Sequence, residues 1–526
     1  MASSILLVLV ATLIAWAARY LLQLQERVAD RAIGARYGCR PAPRLPNQRA
    51  FGLDRLEQML RADWESRLME LFWFHFRQTG STLEQKFLGI KAYGTIDPAN
   101  LKTILTRTRG RSARYESPHS GCQKMTCMLD FGIGPRRAIA LPMFGDGILT
   151  QEGPHWKHSR DLLRPQLEHK HYEDLEVFRV PVEDLIQLLG KRSGTVDLQP
   201  LFSRLTLDTT TAFLFGESTR SLSDASGSAE RVFATALDTA QQWVVKRLRL
   251  AALYWLVDSR AFRQACRDVH AFVDQLIDRN LSTTPERHSF LHAAAQTTSD
   301  RSALRAQAVN ILVAGRDTTA SLLSWTLLRT EIAATRTAPS RLSRNDLKGM
   351  RYLQNVLKES MLPTPNFPAS TRVSQLYTAL RLYPSVPVST RTALKTTVLP
   401  TGGGPAGTDP VLIPKGSSVA FSLYSMHRQP QLYGMDAELF RPERWDEDMP
   451  WKRSANKNSA FLPFSSGPRR CPGADFALTQ AAYILVLLLL NFPTLNLPEG
   501  EKFELVGAEK QRTTLVLSIK EGCKVE

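Results

Sequence analysis

Cys471 is the residue whose surroundings say most about chemistry in this 526-residue chain. It sits in Phe464-Ser-Ser-Gly467-Pro-Arg469-Arg470-Cys471-Pro-Gly473. Glycines on both sides let the backbone turn tightly and approach a flat ligand closely. A helical pattern begins after Gly473, through Phe476 and Ala477 and then Tyr483 to Leu490. The thiol therefore lies just ahead of a helix N-terminus, where the dipole favours a thiolate. Arg469, two residues earlier, can neutralise an anion. A thiolate in a glycine-rich loop, shielded by an aromatic such as Phe464, suits a haem iron. The plainer alternative is a buried structural cysteine. A second constellation is Asn310-Ile-Leu-Val-Ala314-Gly315-Arg316-Asp317-Thr318-Thr319. Small Ala314 and Gly315 let a helix pass close over a flat cofactor. Asp317 and Thr318 put an acid and a hydroxyl inside an otherwise apolar helix, able to pass protons while excluding bulk water. Its plainer alternative is a core helix with Asp317 pairing Arg316 at the surface. Trp156 and Arg160 stand four apart and share a helix face.

These groups need a scaffold, and the composition permits a large one. Hydrophobic residues make up 43% and charged residues 22%, an ordinary globular balance that excludes disordered and collagen-like classes. Sixty-seven Lys and Arg against 50 Asp and Glu give a net charge of +17. No basic run with interleaved aromatics is present, so nucleic acid is excluded as a partner, leaving an anionic membrane or an acidic protein. Six cysteines are too sparse for a disulfide scaffold and suit a reducing compartment. Ile5 to Ala18 carries no charge, and Tyr20, Leu21 and Leu22 continue beyond Arg19. With Arg19 snorkelling, the run reaches about 18 to 20 residues, enough to span a bilayer. The trailing Arg27, Arg31, Arg36, Arg40 and Arg44 put the rest in the cytosol. A cleaved signal peptide would carry a basic segment before the apolar core, and none is there. Pro41, Pro43 and Pro46 make a stiff, extended spacer. The organisation read from these features is a membrane anchor at 1–24, a proline-rich hinge at 25–50 and a catalytic body at 51–526. The run Ile484 to Leu490 is too short to span a membrane and reads as a buried helix. The segment Thr401 to Gly407 lacks the Gly-Lys-Ser/Thr ending of a phosphate loop. Cys122, Cys127, His155 and His158 match no zinc spacing.

The pattern Phe-x-x-Gly-x-Arg-x-Cys-x-Gly resembles the haem-binding loop of the cytochrome P450 superfamily, and the other motifs follow in that family's order over nearly all of the chain. The resemblance implies a mainly α-helical fold with a small β-rich part and an N-terminal transmembrane anchor. It implies haem b with Cys471 as the axial iron ligand. Trp156, Arg160, Arg391 and Arg469 would hold the propionates, Phe464 would flank the ring, and Asp317 and Thr318 would deliver protons to dioxygen. Glu359, Arg381 and Arg444 resemble a buried cluster that props the cysteine loop. Arg444 lies in Phe440-Arg-Pro442-Glu-Arg444-Trp445, whereas Glu438-x-x-Arg441 spells a decoy of the helical Glu-x-x-Arg motif. The implied activity inserts one oxygen atom from O2 into a C–H bond of a small lipophilic substrate. Electrons would come from NADPH through the flavins of a membrane-bound NADPH–cytochrome P450 reductase, at the endoplasmic reticulum. An acidic reductase would dock near Arg469 and Arg470. Leu205-Thr-Leu-Asp208, Phe213-Leu-Phe-Gly216, the 314–319 motif, the 401–407 loop and His427-Arg428 are similar to fungal alkane and fatty-acid hydroxylases. Fatty acyl or alkane-like substrates are the expectation, with a polyketide or terpenoid intermediate of secondary metabolism next.

Two departures stand out. Glu359 and Arg381 should be three apart on one helix and are 22 apart. Pro363, Pro365 and Pro368 between them exclude a continuous helix. The stretch from Thr319 to Glu359 is also short by about one helical segment relative to the family. A catalytically inactive haem-binding relic is therefore the alternative to an active enzyme. Met361 to Ala379 reads as a retained intron: nineteen residues are 57 nucleotides at three per codon, which keeps the frame open. Ser360-Met361 can be encoded AGT-ATG, holding a donor-like GTATG, and Thr378-Ala379 as ACA-GCN, holding an acceptor-like CAG. Excision joins A to CN, a threonine codon. The product reads Lys358-Glu359-Thr-Leu380-Arg381, with Glu and Arg three apart on one helix face.

Overall fold

A 27-residue helix, Arg301–Leu327, runs through the middle of the molecule, and most of its side chains are buried. The structure is a computed structural model that describes residues 2–87, 89–106, 130–223, 228–282, 289–327, 342–358, 380–439, 441–454, 456–492, 495, 498 and 509–526. Helices dominate it, with a smaller β-rich part, as expected. The central helix crosses Leu198–Phe215, whose N-terminus is capped by the Asp197 carboxylate accepting from the Gln199 amide at 3.0 Å. The crossing is close because of Gly315: a Cβ there would sit 2.7 Å from Thr210 Oγ1. Thr206 Oγ1 seals it by donating to the Arg316 carbonyl at 2.8 Å. The small residue at 315 thus serves helix packing, a role the sequence expectation did not include. Ala314 is exposed in the middle of this helix, between buried Val313 and buried Arg316.

The helix that follows the cysteine loop, Ala474–Asn491, is long and apolar enough to cross a membrane, yet most of it is buried. Phe476 explains its place: its ring lies 5.2 Å from Tyr172, 5.1 Å from Phe178 and 4.9 Å from Phe213. Such a nest stabilises through burial plus edge-to-face contacts, and a Phe-to-Ala change in one costs about 3–5 kcal/mol.

The β-rich part holds a second core that includes Leu83, Tyr93, Leu101, Val419 and Phe421. Its five-stranded sheet has the order Thr82–Phe87, Ile90–Thr95, Ser418–Ser422, Val388–Ala393, Phe131–Gly132. One pair is parallel, with Tyr93 opposite Val419. The hairpin of Gln511–Thr513 and Leu517–Ile519 reaches back to the central helix.

The first helix runs unbroken over Ala2–Arg36, so the anchor–hinge boundary placed at residue 24 falls inside it. Its C-terminal half is fastened to the body: Thr396 Oγ1 donates to Asp30 at 2.5 Å. The proline segment is extended, as its composition demands, but it is no free spacer. Arg40 N donates to the Pro410 carbonyl at 2.9 Å, Leu45 N to Glu84 at 3.0 Å and Glu84 N to Pro43 at 2.8 Å, stitching it to two strands. Cys122, Cys127, Glu359 and Met361 to Ala379 lie outside the described residues. Among the described residues no His/Cys/Asp/Glu group could hold a metal ion on its own.

Candidate active site

The loop from Phe464 to Gly473 closes on itself through the Cys471 amide, which donates to the Phe464 carbonyl at 2.9 Å. Gly467 has φ 68° and packs so tightly that a Cβ would lie 2.1 Å from the Leu105 carbonyl oxygen, so only glycine fits. The Cys471 side chain is accessible although protein surrounds it on nearly every side. Burial pushes its pKa up, while the Gly473 amide, Arg160 and Arg470 pull it down. The backbone at the helix start acts on the thiol as read from the sequence, but the arginines that act are Arg160 and Arg470 and not Arg469, and burial outweighs them all. A bound metal ion supplies the missing positive charge and holds such a thiol deprotonated.

Above the loop, cations gather around Trp156. Arg469 lies 4.5 Å over its ring and Arg160 lies 5.7 Å away, on the face the four-residue spacing predicts. Arg160 Nη1 donates to the Arg470 carbonyl at 2.8 Å and Arg469 Nη2 to Gln151 at 2.8 Å. Arg391, on the strand Val388–Ala393, donates to the Thr390 carbonyl at 2.9 Å. A fourth arginine, Arg136, donates to the same carbonyl at 3.0 Å and was missed in the sequence reading. Nothing in its spacing marks it, because the sheet brings it there. Burial, then Arg136 and Arg469, bring the Arg391 pKa down to about 9 against the pull of Glu152. Arg469 falls to about 10, chiefly by burial. Among the described residues Glu152 is the carboxylate that acts on all three, so the tier holds excess positive charge in a desolvated place. Arg469 Nε is buried and has no partner among the described residues. Excess buried cations with an unmet donor fit a dianionic ligand such as the two propionates of a haem.

On the central helix, Thr318 Oγ1 donates to the Ala314 carbonyl at 2.6 Å. The Asp317 carboxylate accepts from Gln241 Nε2 at 2.7 Å and lies 3.4 Å from Arg316. Arg316 also holds Asp238 at 2.8 Å. The Arg316–Asp317 pairing of the plainer reading therefore exists, but it is buried instead of surface-exposed. Burial raises the Asp317 pKa against Arg316 and Gln241, which suits a group that carries a proton. Asp317 and Thr318 are neighbours but do not bond to each other.

Beneath the loop, two of the three expected prop residues meet. Arg381 donates to His427 at 2.7 Å, Ala437 at 2.5 Å and Leu439 at 2.7 Å, all carbonyls. Arg444 reaches the same Leu439 carbonyl at 3.1 Å and both carboxylate oxygens of Asp436 at 3.0 Å. Arg441 pairs with Asp436 at 2.8 Å, while Glu438 accepts from Trp73 at 2.9 Å, in keeping with a decoy. His427, noted in the sequence only as a branch marker, turns out to be a strut. Its Nδ1 donates to the Arg381 carbonyl at 3.1 Å and its Nε2 accepts from the Leu462 amide at 3.2 Å, two residues before Phe464.

A family model described as Cytochrome P450 matches residues 135–374 and 377–518. Similar proteins include a "Cytochrome P450" of Arthroderma benhamiae, 37% identical over 94% of this chain and 93% of its own length. A "Cytochrome P450 monooxygenase g430" of a Fusarium species is 36% identical over 92% of this chain and 84% of its own length. "Cytochrome P450 52A13" of Debaryomyces hansenii is 34% identical over 91% of both.

Proposed function

The chain belongs to the cytochrome P450 family and is a monooxygenase of it, and from that premise we propose that it hydroxylates C–H bonds of a fatty acyl or alkane-like substrate with one atom of O2. A polyketide or terpenoid intermediate is the second substrate class. The observation that carries the proposal is the accessible Cys471 thiol in a loop whose Arg469 and Arg470 join it, with Arg160, to the cationic cluster around Trp156. Haem b, when bound, supplies the oxygen chemistry. Cys471 holds its iron, and Trp156, Arg160, Arg391, Arg469 and Arg136 hold its propionates. Phe464 lines the loop. Asp317 keeps a proton near the reacting side, and the Thr318 hydroxyl passes it on once released from Ala314.

NADPH–cytochrome P450 reductase delivers the electrons through its flavins, docking on the basic surface near Arg470. The enzyme is a single-pass protein of the endoplasmic reticulum membrane with its body in the cytosol. Exposed Phe51, Leu60 and Trp64 and, near the end of another helix, Trp255 and Leu256 support a membrane-facing side. Arg249 ties these two patches together by gripping Asp63 at 2.6 Å. A panel of fatty acids, alkanes and terpenes, given to the reductase-reconstituted enzyme with product analysis, tests the substrate class. Oxidation of none of them would overturn it.

The interrupted Glu359–Arg381 spacing favours the relic as a second reading. We resolve it by proposing that Met361 to Ala379 is a retained intron. The family match breaks inside this segment, between 374 and 377. A true loop would have to nucleate a new helix after three prolines, or leave Glu359 buried and unpaired at a cost of about 3–5 kcal/mol. The mature transcript should lack the 57 nucleotides. A message that retains them and directs an active enzyme would overturn the proposal.

A further inference from the structure

Ser385 joins three parts of the site that the functional reading treats separately. Its Oγ donates to the Thr318 carbonyl at 2.9 Å, and its own carbonyl accepts from the Leu517 amide at 3.0 Å. The Leu517 carbonyl in turn accepts from Ser321 Oγ at 2.6 Å and Trp325 Nε1 at 3.0 Å. Thr318, Ser321 and Trp325 lie three and four residues apart, on one face of the central helix. Tyr383, two residues before Ser385, lies flat on Trp325, with ring centroids 4.0 Å apart and planes 12° apart. A closed circuit of hydrogen bonds therefore fixes the segment 381–388 against the helix at Thr318. Ser385 is buried, at 7% exposure, so water does not replace its bond freely.

The same segment starts at Arg381, in the prop below the cysteine loop, and leads into the strand that carries Arg391 of the cationic tier. The central helix carries the Thr318 hydroxyl. Ser385 is a point where the segment bonds to the central helix at Thr318. The Thr318 side chain already bonds back to its own helix at Ala314, an arrangement that bends helices. A second donor on the Thr318 carbonyl fixes which way the turn leans. We propose that Ser385 is a positioning residue for proton delivery: through the Thr318 carbonyl it holds the Thr318 hydroxyl where protons reach bound oxygen and are not lost to peroxide release.

The inference rests on the monooxygenase reading, and its test separates the two. Ser385→Ala and Ser385→Thr are compared with the parent as full-length haem-loaded protein. Hydrogen exchange of peptides covering 314–322 needs no turnover. In Ser385→Ala it should quicken about two- to tenfold, the range set by one lost hydrogen bond. With dodecanoate as probe, peroxide released per NADPH should rise by a similar factor of about two to ten while the carbon monoxide band is kept. Ser385→Thr, which keeps the hydroxyl, should restore both. Parental exchange and peroxide yield in Ser385→Ala, or Ser385→Thr behaving like Ser385→Ala, would overturn the role. Where Ser385→Ala does not fold, Ser385→Cys takes its place, and a peroxide yield equal to that of Ser385→Thr counts against the proposal. A parent that exchanges as expected but consumes no NADPH with any lipid counts against the monooxygenase reading alone.

Discussion

Single residues divide into those whose spacing betrays them and those the fold recruits. Cys471, Trp156 and Arg160 were legible because their neighbours lie within a few positions: two glycines, an arginine, one helical turn. Arg136, His427 and Ser385 were not, because their partners are distant in sequence and the sheet or a helix crossing brings them together. Arg136 provides a direct check on the cationic tier. Replacing it with Gln removes one charge-assisted contact to the propionates, worth about 1.5–3 kcal/mol, or roughly ten- to a hundredfold in haem retention. Transfer of haem to an excess of acceptor protein should quicken accordingly. A transfer rate equal to the parent's would remove Arg136 from the tier. Asp317 and Thr318 were legible as residue types, but their partners, Gln241 and the Ala314 carbonyl, were not.

At the scale of elements, the sequence showed which helices exist better than why their residues are small or buried. Gly315 was read as clearance for a flat ligand, yet it faces Thr210 of a neighbouring helix. Gly315→Ala should therefore cost about 1–3 kcal/mol by overpacking. Adding Thr210→Ala should recover most of that in a denaturant melt. No recovery would return Gly315 to the cofactor. The strut between Arg381 and the cysteine loop makes a pH prediction. Burial, then the Arg381 charge, bring the His427 pKa down from 6.5 to about 3. The unfolded chain binds a proton near 6.5 that the folded chain refuses. This contribution to stability is whole above pH 6.5 and falls as pH drops towards 3, by on the order of 1 kcal/mol per unit. His427→Gln removes the titration, so its unfolding midpoint should change less between pH 7 and pH 5 than the parent's. An unchanged pH slope would show that His427 is not held neutral. The hinge illustrates the limit of composition: three prolines correctly announced an extended segment, but its bonds to Pro410 and Glu84 come from strands that the local sequence does not reveal.

For the whole molecule, fold class and chemistry were legible because one loop and one helix motif carry them. The two cores, the docked first helix and the five-stranded order were not, since these depend on pairings across hundreds of residues. The proposed intron would account for one of the two departures from the family pattern, and its removal would return Glu359 to the helix face of Arg381. All of the account turns on Cys471 as the iron ligand. The measurement that tests it most directly is the carbon monoxide difference spectrum of the reduced, purified full-length protein beside Cys471→Ala. The parent should show the red-shifted band of an intact haem thiolate, and Cys471→Ala should lose it. A band that survives in Cys471→Ala, or one lost instead in Cys122→Ala or Cys127→Ala, would contradict the account.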